Sequence, residues 1–79
     1  MKATVIGKEF VSGYSKKTGR DFASNVVYVT HKKNGIEGQA VDSIWLDPDS
    51  YPIKDIQLGK LYDIDRDSRG FIVDFIIAN

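Results

Sequence analysis

Seventy-nine residues, 42% hydrophobic and 28% charged, describe one folded unit, because a chain this short cannot bury two separate cores. Eleven Lys/Arg balance eleven Asp/Glu, and the absence of cysteine excludes disulfides, thiolate metal sites and thiol nucleophiles together. No apolar run approaches the roughly 20 residues that cross a bilayer, and Gly7, Lys8 and Glu9 interrupt the opening MKATVIGKEF too early for a signal peptide, so a cytoplasmic protein is expected.

Short β-branched and aromatic runs alternate with Gly, Asn, Asp and Pro clusters, the pattern of a small sandwich or barrel. A first strand is predicted over 2–11, carrying Val5, Ile6, Phe10 and Val11 and ending at SGYSKKTGR. The second, over 21–31, reads DFASNVVYVTH, rich in strand-forming Val, Tyr and Thr. In KKNGIEG, Asn34 and Gly35 supply the positive-φ pair that tight hairpins favour. The third strand, over 38–46, is GQAVDSIWL. Two prolines in DPDSYPIKDIQLGK forbid a regular strand and permit at most one helical turn over 53–57. The fourth strand, over 60–66, alternates Leu61, Asp63 and Asp65 against Tyr62 and Ile64. DSRG is a turn with Asp first and Gly last. The fifth strand, over 71–78, sets Phe71, Val73, Phe75 and Ile77 against Ile72, Asp74 and Ile76, apolar enough on both faces to expect a partner subunit. Five antiparallel strands with an irregular link between third and fourth predict an all-β, five-stranded antiparallel OB-like barrel, with an SH3-like barrel as the nearest competitor.

Charge is segregated along the chain. Residues 1–33 hold seven Lys/Arg against Glu9 and Asp21, whereas residues 34–79 hold four against nine carboxylates. Such a molecule can offer a cationic surface to a polyanion while staying neutral in total. The stretch YSKKTGRDF places Lys16, Lys17 and Arg20 between Tyr14 and Phe22 at a hairpin tip, with Tyr28 further along the same face as Phe22. Two readings fit it. One is a solvated turn, where lysine and glycine are common. The other is a grip on a single nucleic-acid strand, in which cations neutralise the backbone and rings stack on bases of any sequence. Tyr14 either stacks at the tip or covers the barrel mouth.

From Gly13 to Ala78, SGYSKKTGRDFAS followed by YV, then IWLD, GKLYDID and RGFIVD, the chain resembles the gene V-type single-stranded-DNA-binding (helix-destabilising) proteins of filamentous bacteriophages. The resemblance implies an OB-like barrel, a homodimer, and sequence-independent coating of single-stranded DNA during phage or plasmid-like replication in a bacterial host cytoplasm. It carries the contacting basic side chains of the first loop onto Lys16 or Lys17 and Arg20, and the loop aromatic onto Phe22 in place of a tyrosine. Tyr28 matches an aromatic further along the second strand once a short deletion is allowed. Arg69 stands in the hairpin that in the family lends an aromatic to DNA held by the other subunit. Ser43 and Phe75 stand where the family has basic residues and Ser24 where it has an apolar contact, which moves the expected footprint toward Lys32 and Lys33.

Asp63, Asp65, Asp67 and Asp74 fall at positions 1, 3, 5 and 12 of a calcium-loop template, but Ser68 replaces its glycine and no helices flank it. They are read instead as a wet strand face and a turn opener, and no metal or other cofactor is expected. Trp45, between Ile44 and Leu46, is expected to be buried in the core or at a dimer contact, and Tyr51 and Tyr62 to pack. His31 is the single imidazole, with no nucleophile-elbow sequence, so an enzyme acting on a small-molecule substrate is not expected. The expected partner is single-stranded DNA or RNA. The alternative is a small β-barrel protein-interaction module that binds through its last strand.

Overall fold

A computed structural model of the chain describes residues 1–78. In order along the chain come β1 (Lys2–Ser15), β2 (Arg20–His31), β3 (Ala40–Leu46), a 3₁₀ turn (Ile53–Asp55), β4 (Leu61–Arg66) and β5 (Ile72–Ile77). All strands pair antiparallel in one sheet of order β3-β2-β1-β4-β5, so the fold is all-β. β1 is the strand that outruns its predicted span, because its ladder with β2 continues past Val11↔Ser24 to Ser15↔Arg20.

Period-2 alternation builds the core. Ala3 and Val5 of β1, Val27 and Val29 of β2, Ile44 and Leu46 of β3, Tyr62 and Ile64 of β4 and Phe75 of β5 pack in one cluster with Ile56. A register shift between Val5 and Gly7 leaves Ile6 as a bulge in β1. Bulges sharpen twist, and here the bend falls where β1 leaves its short ladder with β4 at Lys2–Thr4 and commits to β2. The sheet curls far enough that Ile44 and Phe75, from its two edge strands, share that core.

The curl stops short of a closed barrel: among the described residues β3 and β5 form no ladder. The connection between β3 and β4 fills the gap in their place. Tyr51 sets its ring edge-on to Phe75 at 5.9 Å, and its carbonyl accepts from Asn25 Nδ2 at 2.7 Å. Lys8 Nζ donates to the carbonyls of Ile53 and Ile56 at 2.8 and 2.6 Å, which ties the 3₁₀ turn beneath β1 and spends one cation of the basic half on structure. Tyr62 packs as expected, stacked on Phe75 at 4.3 Å, with its hydroxyl accepting from the Gln57 N–H.

Two local expectations are corrected. Asn34 does not take positive φ; Gly35 alone does within the Lys33–Ile36 turn, as a type II turn requires, and an eight-residue loop rather than a tight hairpin joins β2 to β3. In β5, Arg66 pairs with Ile72 while Asp65 pairs with Asp74, so Val73 is squeezed out of the ladder. Ile72 and Phe75 therefore both turn inward, and Phe71 and Val73 are exposed instead of sharing the face of Phe75. No helix among the described residues is long and apolar enough to cross a membrane.

Candidate nucleic-acid interface

The β1–β2 hairpin runs past the core as a two-stranded ribbon, and its tip is closed by backbone geometry. The Gly19 N–H donates to the Ser15 carbonyl at 2.8 Å and the Thr18 N–H to Ser15 Oγ at 3.3 Å. Gly19 has φ +70°, a conformation that side chains resist, so glycine at this position lets β2 begin at Arg20. Lys16 and Lys17 are held outermost and exposed, and neither they nor Arg20 make an ion pair among the described residues.

From Arg20 the side chains alternate. Asn25, Val27 and Val29 go to the inner face, and Arg20, Phe22, Ser24, Val26, Tyr28 and Thr30 to the outer one. The two rings of this outer row lie across β1 at its glycines. A Cβ at Gly13 would come within 3.3 Å of the Phe22 ring, and one at Gly7 within 3.4 Å of Tyr28 Cδ2. Each glycine thus makes room for a ring on the neighbouring strand. Phe22 and Tyr28 stand about 20 Å apart along β2, the length of several nucleotides.

Trp45 completes the row and overturns the expectation of burial in the core. Ile44 and Leu46 both point into the core, so the residue between them faces outward; it is 57% exposed. Paired with Val26, it brings its ring centre to 6.5 Å from that of Phe22, the two planes inclined by 49°. With Ser15, Thr18 and Ser24 these rings border a shallow apolar depression of about 420 Å³. The period-2 pattern of SIWL carried this signal; reading IWL as one apolar block hid it.

Glu9, opposite Val26, is a second residue of this face that sequence reasoning passed over. Its Oε1 accepts from the Tyr28 hydroxyl at 2.9 Å. That hydrogen bond, with partial burial and the nearby negative charge, raises the Tyr28 phenol above its ordinary value. Among outward positions of β1, β2 and β3, Glu9 holds the one carboxylate.

The other predicted residues are not brought to this cluster. Tyr14 pairs with Asp21 and faces the opposite side of the ribbon from Phe22, because strand neighbours alternate. Lys32 and Lys33 follow the far end of β2, about 35 Å from Arg20 along the strand, and form with Met1, His31 and Val41 a separate depression. Arg69 sits on the β4–β5 turn, 5.2 Å from the Phe71 ring centre and 3.3 Å from Asp67. Partial desolvation pulls the Asp67 carboxyl up, but the N–H groups of Phe71, Arg69 and Gly70 and the Arg69 guanidinium outweigh it and hold the carboxyl below its ordinary value. Ser43 lies on the outer face opposite Tyr28, Ser24 Oγ donates to the Leu46 carbonyl, and Phe75 is a core residue.

The carboxylates of the calcium-like spacing are dispersed. Asp63 and Asp65 lie 3.8 and 3.7 Å from the amino terminus, Asp67 organises its turn, and no three metal-ligating side chains converge among the described residues. The chain matches no protein-family model, no curated protein and no solved structure. What the face can do therefore rests on its own chemistry: exposed cations at one end, then Phe22, Trp45 and Tyr28 in a row over the β1–β2–β3 ladder.

Proposed function

We propose that this chain is a non-catalytic single-stranded nucleic-acid-binding protein that coats DNA or RNA with little sequence preference, in the manner of a phage or mobile-element replication protein acting as a homodimer. The observation that carries the reading is the common exposed face of Arg20, Phe22, Trp45 and Tyr28, entered from the Lys16–Lys17 tip. Cations there neutralise phosphates with release of counterions, and three aromatic side chains give bases surfaces to stack on. Lys32 and Lys33 lie at the other end of β2, where they would take a strand that runs the length of the face.

Trp45 is the single tryptophan of the chain, so its fluorescence reports occupancy of the face directly. Titration with single-stranded oligonucleotides is expected to quench it, with affinity falling steeply as salt rises. Absence of quenching and of anisotropy change at low salt, for DNA and RNA alike, would remove the proposal.

A second reading has one observation of its own. β5 is an edge strand, and Val73 and Ile76 are 53% and 60% exposed on it, a surface suited to a protein partner. In the binding reading a second copy covers this strand; in the rival reading another protein does, and the tip is idle. Lys16→Glu separates them, since it abolishes function only in the first case.

A further inference from the structure

A carboxylate in the middle of a surface built for a polyanion is a contradiction unless it meets something other than phosphate. Resting on the binding reading above, we infer that Glu9 is a specificity-determining residue that adds, at one position, a preference for guanine to a face that otherwise stacks bases of any sequence. Glu9 stands opposite Val26, between the Phe22–Trp45 pair and Tyr28, and it is exposed. The Tyr28 hydroxyl holds Oε1 at 2.9 Å, and Oε2 has no hydrogen-bond or ion-pair partner among the described residues. The headgroup is therefore anchored and able to accept more hydrogen bonds.

Phosphate is repelled from this point, so a bound strand that enters at the Arg20 end keeps its backbone off Glu9 and lays its bases over the row of rings. A base stacked on Tyr28 that overhangs the hydroxyl end of the ring meets the carboxylate with its edge. A carboxylate only accepts, so it discriminates by the donors it is offered. Guanine presents two adjacent donors on its Watson–Crick edge, N1–H and the 2-amino group, which match two carboxylate oxygens. Adenine and cytosine present one amino group beside an acceptor, and thymine one N–H between two carbonyls. Single-stranded recognition reads this edge, which is unpaired and within reach. Glu9 also fixes Tyr28: the hydrogen bond that anchors the carboxylate orients the ring on which the base stacks.

The effect is read as a ratio of affinities. Three oligothymidylates of equal length carry dG, dA or deoxyinosine at the same separated positions, too few for a guanine quadruplex, and are titrated at one salt concentration against wild type and Glu9→Gln. Comparing purines removes the ordinary stacking advantage over thymine, and inosine lacks only the 2-amino group of guanine. Wild type is expected to bind the dG oligomer about tenfold more tightly than the dA oligomer, with inosine between them. Glu9→Gln, which keeps shape and a hydrogen-bonding end, is expected to bring the three within about twofold while raising all affinities, because a repulsive charge has gone.

Equal wild-type affinity for the dG and dA oligomers would overturn the inference and leave the binding reading standing. So would a Glu9→Gln variant that binds all three more tightly by one common factor, since Glu9 would then be a repulsive charge and nothing more. Failure of wild type to bind any of the three at low salt would remove the binding reading and the selectivity with it.

Discussion

Replacing Phe22 with alanine separates stacking from folding, because the ring is fixed by the ribbon and not by the core. Phe22 is 42% exposed and rests on Gly13 and beside Trp45, with no place in the core cluster. A fully buried Phe→Ala change costs about 3–5 kcal/mol; somewhat more than half of that burial, on a ribbon that can relax, implies roughly 1–2 kcal/mol. A domain of this size has about 4–12 kcal/mol in hand, so the variant stays folded. Binding should suffer more, by about 1–3 kcal/mol for one lost stacked base, or roughly five- to 150-fold in Kd. Urea unfolding followed by circular dichroism measures the first quantity, and anisotropy of a labelled oligonucleotide across a salt series measures the second. The salt series holds an internal check. A phenyl ring neutralises no phosphate, so the plot of log affinity against log salt should shift down without changing slope. Unchanged affinity in a folded Phe22→Ala protein, or a loss that appears as a shallower slope, would refute the assignment of Phe22 to stacking.

Other substitutions probe the cations, the core and the Tyr28 phenol. Lys16→Ala and Lys17→Ala should do the reverse of Phe22→Ala, each lowering the salt slope by about 0.7 for every phosphate it no longer neutralises and leaving the unfolding midpoint unmoved. Phe75→Ala, which removes the ring stacked on Tyr62 at 4.3 Å and edge-on to Tyr51, should cost about 3–5 kcal/mol in urea unfolding and take away a large part of the stability of the fold. Tyr28 should ionise above the ordinary phenol value, seen as a difference in phenolate absorbance between wild type and Tyr28→Phe. Its folded value is raised, so its contribution to stability is present below the unfolded phenol value and is lost as pH rises through the folded one. Glu9→Gln should bring that titration back toward the ordinary value.

Strand positions were readable because each buried run alternates against polar residues: Val27 and Val29 inside with Tyr28 and Thr30 outside, Tyr62 and Ile64 inside with Asp63 and Asp65 outside. The reading failed where apolar residues are adjacent. Ile44-Trp45-Leu46 and Ile72-Val73 look uniformly apolar, and only the ladder decides which member turns outward. The Val73 bulge depends on Arg66 pairing with Ile72 across the Asp67 turn, a tertiary choice with no local signature. The length of β1 was misjudged for a related reason. SGYS has weak strand propensity, yet the ladder continues through it, with Gly13 accommodating the Phe22 ring. Barrel closure was equally out of reach, since it turns on how the 47–60 connection packs between β3 and β5. The separation of Lys32 and Lys33 from the tip, by contrast, followed from the length of β2 alone, and a strand rise of about 3.3 Å per residue would have placed them.

That same alternation explains how one small sheet can hold a core and a candidate binding face without compromise. Along β2 the odd positions 25, 27 and 29 turn to the buried side, and the even positions 20, 22 and 28 are left on the candidate binding face. Val26 is the exception: it is 2% exposed yet lies outside the core cluster, enclosed on the outer face opposite Glu9 and Trp45. It serves as the floor on which the outer row rests, so shortening it should loosen Trp45 and Tyr28 together while the inner core stays intact. Val26→Ala is therefore expected to lose about 1–2.5 kcal/mol of stability and to weaken binding without altering its salt slope. If binding through the Phe22–Trp45–Tyr28 row were unaffected by that change, the row would not be acting as one surface.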